Sequence, residues 1–287
     1  LDNIAASGST IILREGTYEE AIRIRQPNIT IRSKHDEWAR IVTPINDSSI
    51  AATVIIDVNA DKATLQRVEI EGGYYYGIMH FTRWDWGNPD DRNGPLNVVL
   101  EKIVVHDTGR DGIKITPGTD YVTVRGSEIY NTGQRDDSNA DGIDNVNGDH
   151  FRLQDSYIHD TGTTGVYCKG GAIDCVIERT RITDTGAAGV LIGFDTSPEF
   201  FDLEVNPDYF ENIDGVVRNC IIERTQWAGV GLYAAKNARV YNNTIVDTAQ
   251  THHSPIYFGL SFQDWDADAG RPASTTRSTP ARRSSST

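Results

Sequence analysis

The sequence lacks a long hydrophobic run: no segment approaches the roughly 18 consecutive apolar residues that cross a bilayer. Its first residues, LDNIAASGST, have neither the basic start nor the apolar stretch of a signal peptide. Cysteine is scarce, with three residues in 287 and no C-x2-C pair, so the common zinc-binding spacings are excluded. We interpret Cys168, Cys175 and Cys220 as small buried thiols. A membrane span is therefore not expected.

Positive charge is also in deficit, because 27 Lys and Arg face 41 Asp and Glu and the net charge is −14. Four of the Arg lie in residues 271–287, which contain no acid, so residues 1–270 carry −18. A charge of this sign argues against nucleic acid as a partner. It also implies that an anionic ligand would need a metal ion or a local basic cluster.

No 3.6-residue hydrophobic period is sustained, which excludes helical repeat folds. A different repeat is present, in which a β-rich run ending in Ile or Val is followed by x-[DN]-T-[GA] and then by G-[IV]-x and an apolar residue. Two clear copies read VVHDTGRDGIKI and RITDTGAAGVLI. The last apolar residue of the first run recurs at Val105, Ile129, Ile158, Ile182, Ile222 and Ile245. Spacings of 24, 29, 24, 40 and 23 predict a unit of 23 or 24 residues, with insertions at 134–140 and 194–213.

Strands of three to five residues cannot bury an apolar face alone, but stacking them does so. Parallel strands from successive units lie about 4.8 Å apart, so equivalent residues form ladders. One ladder points into a shared core and is uniformly branched, as a buried row should be: Ile113, Ile143, Val166, Val190, Val230 and Ile256. The repeat therefore predicts an all-β parallel solenoid. The tail, 271–287, is rich in Ser, Thr and Arg, and we expect no packed structure there.

This pattern, with the opening TIILREGTYEEAIRIRQPNITIRSKHDEWARIV, resembles the right-handed parallel β-helix proteins of the pectate-lyase-like superfold. The resemblance covers roughly residues 9–265 and implies a single-stranded right-handed parallel β-helix with about 23–24 residues per turn over residues 1–270. It specifies the architecture and not the reaction, because this fold hosts lyases, hydrolases, epimerases, adhesins and plain surface proteins.

The segment NADGIDNVNGD, residues 139–149, gathers carboxylates on one turn. In the predicted register Asp144 points outward, flanked by Lys114 of the turn below and Tyr167 of the turn above. Asp141 precedes a Gly that can bend the chain, so its side chain can also face solvent. Further acids of the same region are Asp111, Asp136 and Asp137.

Crowded carboxylates are unfavourable without a cation, and hard oxygen ligands favour Ca²⁺ over zinc or copper. We therefore predict a calcium site from Asp111, Asp137, Asp141 and Asp144. The alternative is that Asp and Gly mark turns by hydrogen-bonding the local backbone, and that Asp144 merely pairs with Lys114.

This segment and its neighbours resemble the active-site motifs of two enzyme families. In family 9 pectate lyases, acids on adjacent turns hold Ca²⁺ and a later Lys removes a proton, which places Asp111, Asp141 and Asp144 as ligands and Lys169 as the base. Here Ala140 stands where a second consecutive acid belongs, and Lys169 comes two positions late. NADGID also matches the first motif of polygalacturonases, but Thr163-Thr164 replaces their second acidic pair, so hydrolysis lacks its general acid.

β-Elimination needs only a cation that neutralises the uronate and one base. Lys169 or Lys114 is the candidate base, although outward lysines are usually just solvated. The other lysine, with Arg110, Arg135 or Arg152, would hold substrate carboxylates. Aromatic residues in the insertions suit sugar rings or pack as a lid, and the predicted sugar contacts are Tyr167, Trp84 and Trp86.

The sequence thus favours a secreted or periplasmic, monomeric polysaccharide lyase that depends on Ca²⁺ and cleaves a uronate-containing polysaccharide, with Asp144, Lys114 and Lys169 at its centre. The alternatives are a non-catalytic carbohydrate-binding or surface β-helix and a polygalacturonase-like hydrolase.

Overall fold

The computed structural model describes residues 5–84 and 92–260. Three nine-stranded parallel sheets, A, B and C, run along the molecule, and each turn of the chain, here called a rung, adds one strand to each sheet. Within the described residues the only helical element is a 3₁₀ turn at Pro198–Phe200. The all-β, right-handed parallel β-helix predicted from the repeat is confirmed.

The strands are numbered in chain order from β1 to β32. Sheet A consists of β1 (Thr10–Leu13), β4 (Thr30–Ser33), β7 (Thr64–Gln66), β12 (Val99–Glu101), β15 (Thr123–Arg125), β18 (Arg152–Gln154), β22 (Val176–Glu178), β26 (Val216–Arg218) and β30 (Arg239–Tyr241). Sheet B consists of β2 (Gly16–Tyr18), β5 (Ala39–Val42), β8 (Val68–Glu71), β13 (Val104–His106), β16 (Glu128–Tyr130), β19 (Tyr157–Thr161), β23 (Arg181–Thr185), β27 (Ile221–Thr225) and β31 (Thr244–Val246).

Sheet C consists of β3 (Ile22–Ile24), β6 (Ala52–Ile56), β9 (Tyr76–His80), β14 (Ile113–Ile115), β17 (Ile143–Val146), β20 (Val166–Lys169), β24 (Val190–Ile192), β28 (Val230–Tyr233) and β32 (Ile256–Gly259). A short three-stranded sheet adds β21 (Ala172–Ile173), β25 (Asn212–Ile213) and β29 (Ala235–Lys236). The antiparallel pair β10 (Arg83–Trp84) and β11 (Arg92–Asn93) flanks a segment outside the described residues.

The register agrees with the predicted ladders position by position. In sheet B the paired residues are Val105, Ile129, Ile158, Ile182, Ile222 and Ile245. In sheet C they are Ile113, Ile143, Val166, Val190, Val230 and Ile256. Most of these side chains are fully buried in one continuous core, where each contributes roughly 1.5–3 kcal/mol of transfer free energy.

The x-[DN]-T-[GA] motif forms the corner between sheets B and C. On six rungs its second residue has a left-handed backbone conformation, with φ between 48° and 57°, which Asn and Asp tolerate better than most residues. These six residues are Asp107, Asn131, Asp160, Asp184, Arg224 and Asp247. The Thr hydroxyl then donates to the carbonyl two residues on, as in Thr108 to Arg110 at 2.7 Å and Thr161 to Thr163 at 3.0 Å. The motif is thus structural.

A glycine follows the corner on successive rungs because sheet B packs too closely for a side chain. At Gly142 an added Cβ would lie 2.6 Å from Ile158 Cγ2 and 2.5 Å from the carbonyl oxygen of Gly165. The residue before this glycine is therefore the last one before sheet C that can carry a side chain. On two adjacent rungs it is an aspartate, Asp111 and Asp141.

Candidate active site

The candidate site lies on the outer face of sheet C near the middle of the β-helix. Its central register row is Met79, Lys114, Asp144, Tyr167 and Leu191. Asp144 is thus flanked by Lys114 and Tyr167, as predicted. We call Asp111, Asp141, Asp144, Lys114 and Lys169 the acid–lysine cluster.

The three carboxylates of the cluster are close together, with one oxygen of each within 4.8 Å of the others. The Asp141 amide donates to Asp111 Oδ1 at 3.0 Å. Asp141 Oδ1 accepts from the Thr163 hydroxyl at 2.5 Å and from the Thr164 amide at 2.9 Å. Asp111 Oδ2 and Asp144 Oδ1 are buried and accept no hydrogen bond from residues 5–84 or 92–260.

The expectation that Asp141 and Asp144 face solvent is wrong, because they are only 1% and 2% exposed. Lys114 and Lys169 form ion pairs with Asp144, whereas Asp141 is held by Thr163 and Thr164. The lysine side chains are 17% and 16% exposed, so the part of the cluster that reaches solvent is cationic.

The two lysines bind Asp144 differently. Lys114 Nζ donates a hydrogen bond to Asp144 Oδ2. Lys169 Nζ is 3.6 Å from Asp144 Oδ1 and 4.2 Å above the centre of the Tyr167 ring, where a cation is also attracted. Lys169 pairs in register with Val146, two positions beyond Asp144, so its long side chain reaches back to the acid.

The charges of the cluster shift one another. Burial opposes ionisation of Asp144, but Lys114 and Lys169 hold its pKa below the ordinary value. Burial likewise opposes the charged form of Lys114, but Asp144 and Asp111 raise its pKa. Lys114 therefore stays protonated at neutral pH.

The other two acids behave in the opposite way. Burial, together with the charge of Asp144, raises the pKa of Asp141 to about 7. Burial and the charges of Asp141 and Asp144 raise the pKa of Asp111 well above its ordinary value. Bound protons and two ammonium groups thus neutralise carboxylates that would otherwise repel one another.

The donor set fits a calcium ion. Ca²⁺ binds oxygen ligands at about 2.3–2.6 Å, so two ligands of one ion lie at most about 5 Å apart. The three carboxylates meet this limit, since their oxygens are within 4.8 Å. Asp111 Oδ2 and Asp144 Oδ1, which accept no hydrogen bond from the described residues, are the oxygens that such an ion could use.

The acids and arginines of the 134–140 insertion do not join the cluster. Asp137 is exposed and lies outside the group of three close carboxylates, so the structure does not place it as the fourth ligand. Asp136 binds Arg110 at 2.6 Å. Arg135 donates to the Tyr74 carbonyl at 2.8 Å, and its guanidinium lies 3.9 Å above the Tyr74 ring. Arg110 and Arg135 thus hold the 134–140 loop against Tyr74 and Tyr75.

Three predicted substrate contacts remain: Arg152, Trp84 and Trp86. Arg152 belongs to sheet A, a different sheet from the cluster, where it pairs with Asp174 at 2.5 Å, and its role as a substrate contact stays a prediction. Trp84 is the last residue of β10. Trp86 lies outside the described residues.

Glu211 is a residue that sequence reasoning missed. Its buried carboxylate accepts from the Gly170 amide at 3.0 Å, the Thr196 amide at 2.9 Å and the Thr196 hydroxyl at 2.7 Å. It thereby ties the long insertion to the turn that follows Lys169. Because the insertion has no counterpart on other rungs, the repeat carried no signal for this contact.

A second group of possible ligands lies on sheet B. His106 Nε2 is 3.1 Å from Glu69 and 3.8 Å from Glu71. Its Nδ1 is 2.6 Å from Asp107. Arg40 forms ion pairs with both glutamates. The group is therefore an ion-pair network at one end of sheet B strands β5, β8 and β13.

Comparison with known proteins identifies the architecture. A family model described as "right handed beta helix region" matches residues 52–206 and 97–260. No protein of curated function matches the sequence significantly. No helix among the described residues is long and apolar enough to cross a membrane.

Several solved structures are similar in fold. An alginate lyase from Paenibacillus sp. strain FPU-7 is 17% identical, with a TM-score of 0.61 over 91% of this chain and 94% of that one. The A-module of the Azotobacter vinelandii mannuronan C-5 epimerase AlgE6 is 16% identical, with a TM-score of 0.59 over 88% and 71%. Pectate lyase Pel9A is 16% identical, with a TM-score of 0.58 over 92% and 71%. At these identities the likeness shows the fold alone.

Proposed function

The chain belongs to the right-handed β-helix family, and from this architecture and the acid–lysine cluster we propose that it is a polysaccharide lyase acting on a uronate-containing polysaccharide. The observation that carries the proposal is the arrangement of three buried carboxylates beneath two partly exposed lysines on the outer face of sheet C. Similar folds in an alginate lyase and a pectate lyase support it. We further propose that the protein acts as a secreted or periplasmic monomer.

The preference for an anionic sugar follows from the charge distribution. The chain carries a net charge of −14, which would repel a polyuronate in general. Within the cluster, however, the groups that reach solvent are Lys114 and Lys169, while the acids lie beneath them. A uronate carboxylate would therefore meet positive charge at this place.

The two lysines suit different roles in β-elimination. Lys114 stays charged, because Asp144 and Asp111 raise its pKa, so it would bind the uronate carboxylate. Lys169 Nζ, 3.6 Å from Asp144 Oδ1, is held more loosely than Lys114, so it is the lysine that would turn toward a substrate. As the base, it would act in its uncharged amine form and take the proton from the carbon that bears the carboxylate. The electron pair then forms the carbon–carbon double bond, the glycosidic C–O bond breaks, and the leaving oxygen takes a proton from solvent.

Asp111, Asp141 and Asp144 are the residues that would hold Ca²⁺. When bound, the ion would neutralise the substrate carboxylate and stabilise the negative charge that develops on it. The raised pKa values of Asp111 and Asp141 mean that protons must leave before a metal can bind. We therefore expect calcium affinity to rise with pH up to about 7.

A non-catalytic carbohydrate-binding β-helix is the second candidate. The observation that favours it is that Asp144 already has two lysine partners, so the cluster is neutralised without any ligand. In this case Lys114 and Lys169 would hold an anionic sugar without removing a proton.

The test is formation of unsaturated product, followed by ultraviolet absorbance, on a panel of polymannuronate, polyguluronate, polygalacturonate and polyglucuronate with and without Ca²⁺. Lys169→Ala and Asp144→Asn should each lower the rate by roughly 10²-fold or more, as expected for a lost base or its partner. Lys236→Gln, at an exposed lysine on β29, is the control and should keep full activity. Absence of product from every polymer would rule out the lyase, and equal rates in all three variants would rule out the acid–lysine cluster as its active site. Calcium-dependent thermal stabilisation without turnover would favour the binder.

A further inference from the structure

An aromatic surface continues the face on which the acid–lysine cluster lies. One unbroken register row leads from Asp144 through Tyr167, Leu191 and Gly231 to Tyr257. Neighbouring strands lie about 4.8 Å apart, so Tyr257 is four strands, or about 19 Å, from Asp144. The row therefore runs along the helix axis, away from the cluster and toward the later rungs.

The rings on and beside this row contact one another in series. Phe194 lies 5.5 Å from Tyr167 and 5.2 Å from Tyr233, measured between ring centres. Tyr257 is 5.5 Å from Tyr233 and stacks on His253 at 4.2 Å, and His253 is 5.4 Å from Trp227. We call these six residues the aromatic wall: Tyr167, Phe194, Trp227, Tyr233, His253 and Tyr257.

The wall is packed in place and still accessible. Ala188 and Leu191 are fully buried beneath it, so it has a small apolar core of its own outside the main one. Trp227 and Tyr257 are partly exposed, and His253 is exposed. A ligand would therefore meet preformed ring surfaces, which lowers the entropy cost of binding.

Gly231 allows the rings to lie close to the strand. A Cβ at this position would come within 2.4 Å of Leu191 Cδ2 and 3.0 Å of the Tyr233 ring. The row thus has no projecting side chain between Leu191 and Tyr257, and the surface along the axis stays low. The Tyr233 hydroxyl and His253 Nε2, 3.2 Å apart, add a polar edge.

Such a surface matches a sugar chain better than a purely apolar ligand. The negative face of an aromatic ring attracts the C–H groups on one face of a pyranose, while hydroxyl groups around the sugar need polar neighbours. The aromatic wall offers both ring faces and polar groups. It lies in line with Lys114 and Lys169, which suit a uronate carboxylate.

We propose that the aromatic wall binds the sugars that flank the reacting uronate, and that the polysaccharide runs along the β-helix axis from the acid–lysine cluster toward Tyr257. This inference rests on the proposed function only in taking the cluster as the place where a uronate binds. It adds a direction for the polymer and a preference for chains long enough to reach Trp227 and Tyr257.

The test compares Trp227→Ala and Tyr257→Ala with wild type in native affinity electrophoresis through gels that contain each of the four polyuronates. Each substitution should weaken binding of the recognised polymer by roughly 2- to 10-fold, the size of one lost aromatic contact. Trp38→Ala is the matched control, because Trp38 is 39% exposed and lies outside the wall. Trp227→Phe keeps a ring and should retain most of the affinity, with an unchanged thermal midpoint.

The outcomes separate this inference from the lyase proposal. Binding that depends on Trp227 and Tyr257 without turnover supports the wall and rejects the lyase. Turnover on a polymer whose binding is equal in wild type and both alanine variants supports the lyase and overturns the wall. If no polyuronate binds at all, both are rejected. A disaccharide that loses as much affinity as the polymer in Tyr257→Ala would also overturn the inference, because it is too short to reach from the cluster.

Discussion

Replacing Asp141 by Asn is predicted to change how stability depends on pH. Burial and the charge of Asp144 raise the pKa of Asp141 from 3.8 to about 7. Between these two values the folded state therefore binds a proton that the unfolded state has lost. The resulting stabilisation is fully present below about pH 4 and is lost as the pH rises through about 7.

The size of the effect follows from the two pKa values. A change from 3.8 to about 7 corresponds to on the order of 4 kcal/mol, at about 1.4 kcal/mol per pH unit. Asn keeps an oxygen that can accept from Thr163 and Thr164, so the local hydrogen bonds survive. We expect wild type and variant to have similar unfolding free energies near pH 4, and the variant to be more stable by up to this amount near pH 8.

The assay is guanidinium unfolding followed by circular dichroism, with chelator present, at pH values from about 4 to about 8. Asp136→Asn is the control, because hydrogen bonds from Ser138 and Arg110 lower the pKa of Asp136 to about 2. That variant should be less stable than wild type by a nearly constant amount over this range, because the contribution of Asp136 is lost only as the pH falls from about 4 through about 2. A difference between wild type and Asp141→Asn that stays constant with pH would refute the electrostatic account of the cluster.

Two further predictions concern the same rungs. Lys114→Met should lower the unfolding free energy by about 3–5 kcal/mol in chemical denaturation, because Asp144 loses its hydrogen-bonded cation, and adding Asp144→Asn should restore much of it. Gly142→Ala should cost about 1–3 kcal/mol, because the new Cβ would lie 2.5 Å from the Gly165 carbonyl oxygen. Gly126→Asn is its control in the same chemical denaturation: φ there is near 58°, which Asn tolerates, and an added Cβ would meet the flexible Lys102 side chain at 3.4 Å. A loss of stability as large as that of Gly142→Ala would contradict the packing argument.

The acid–lysine cluster and the sheet B network both bring carboxylates close together, and the repulsion between them is offset in different ways. On sheet B, Arg40 binds Glu69 and Glu71 beside His106, and every charge has a partner at the surface. On sheet C the acids are buried, and part of their charge is removed by bound protons. Perturbed pKa values of this kind are typical of functional sites, which is why the proposals above concern sheet C.

The sequence alone predicted which residues become neighbours. The alternation of apolar and polar positions has a period of two, and a one-residue slip would turn the whole apolar face outward, so the register is strongly specified. For this reason Asp144 could be placed between Lys114 and Tyr167, and the ladder from Ile113 to Ile256 could be written down in advance.

Only the tertiary structure decided how deep those neighbours lie and what they contact. Burial of Asp141 and Asp144 depends on long side chains that cross from other rungs, such as Lys169, whose reach is not set by register. The repeat recognised in the sequence covers the strands of sheets B and C, so it did not place Arg152, which belongs to sheet A. Glu211 comes from an insertion without a counterpart, so its position had to come from packing.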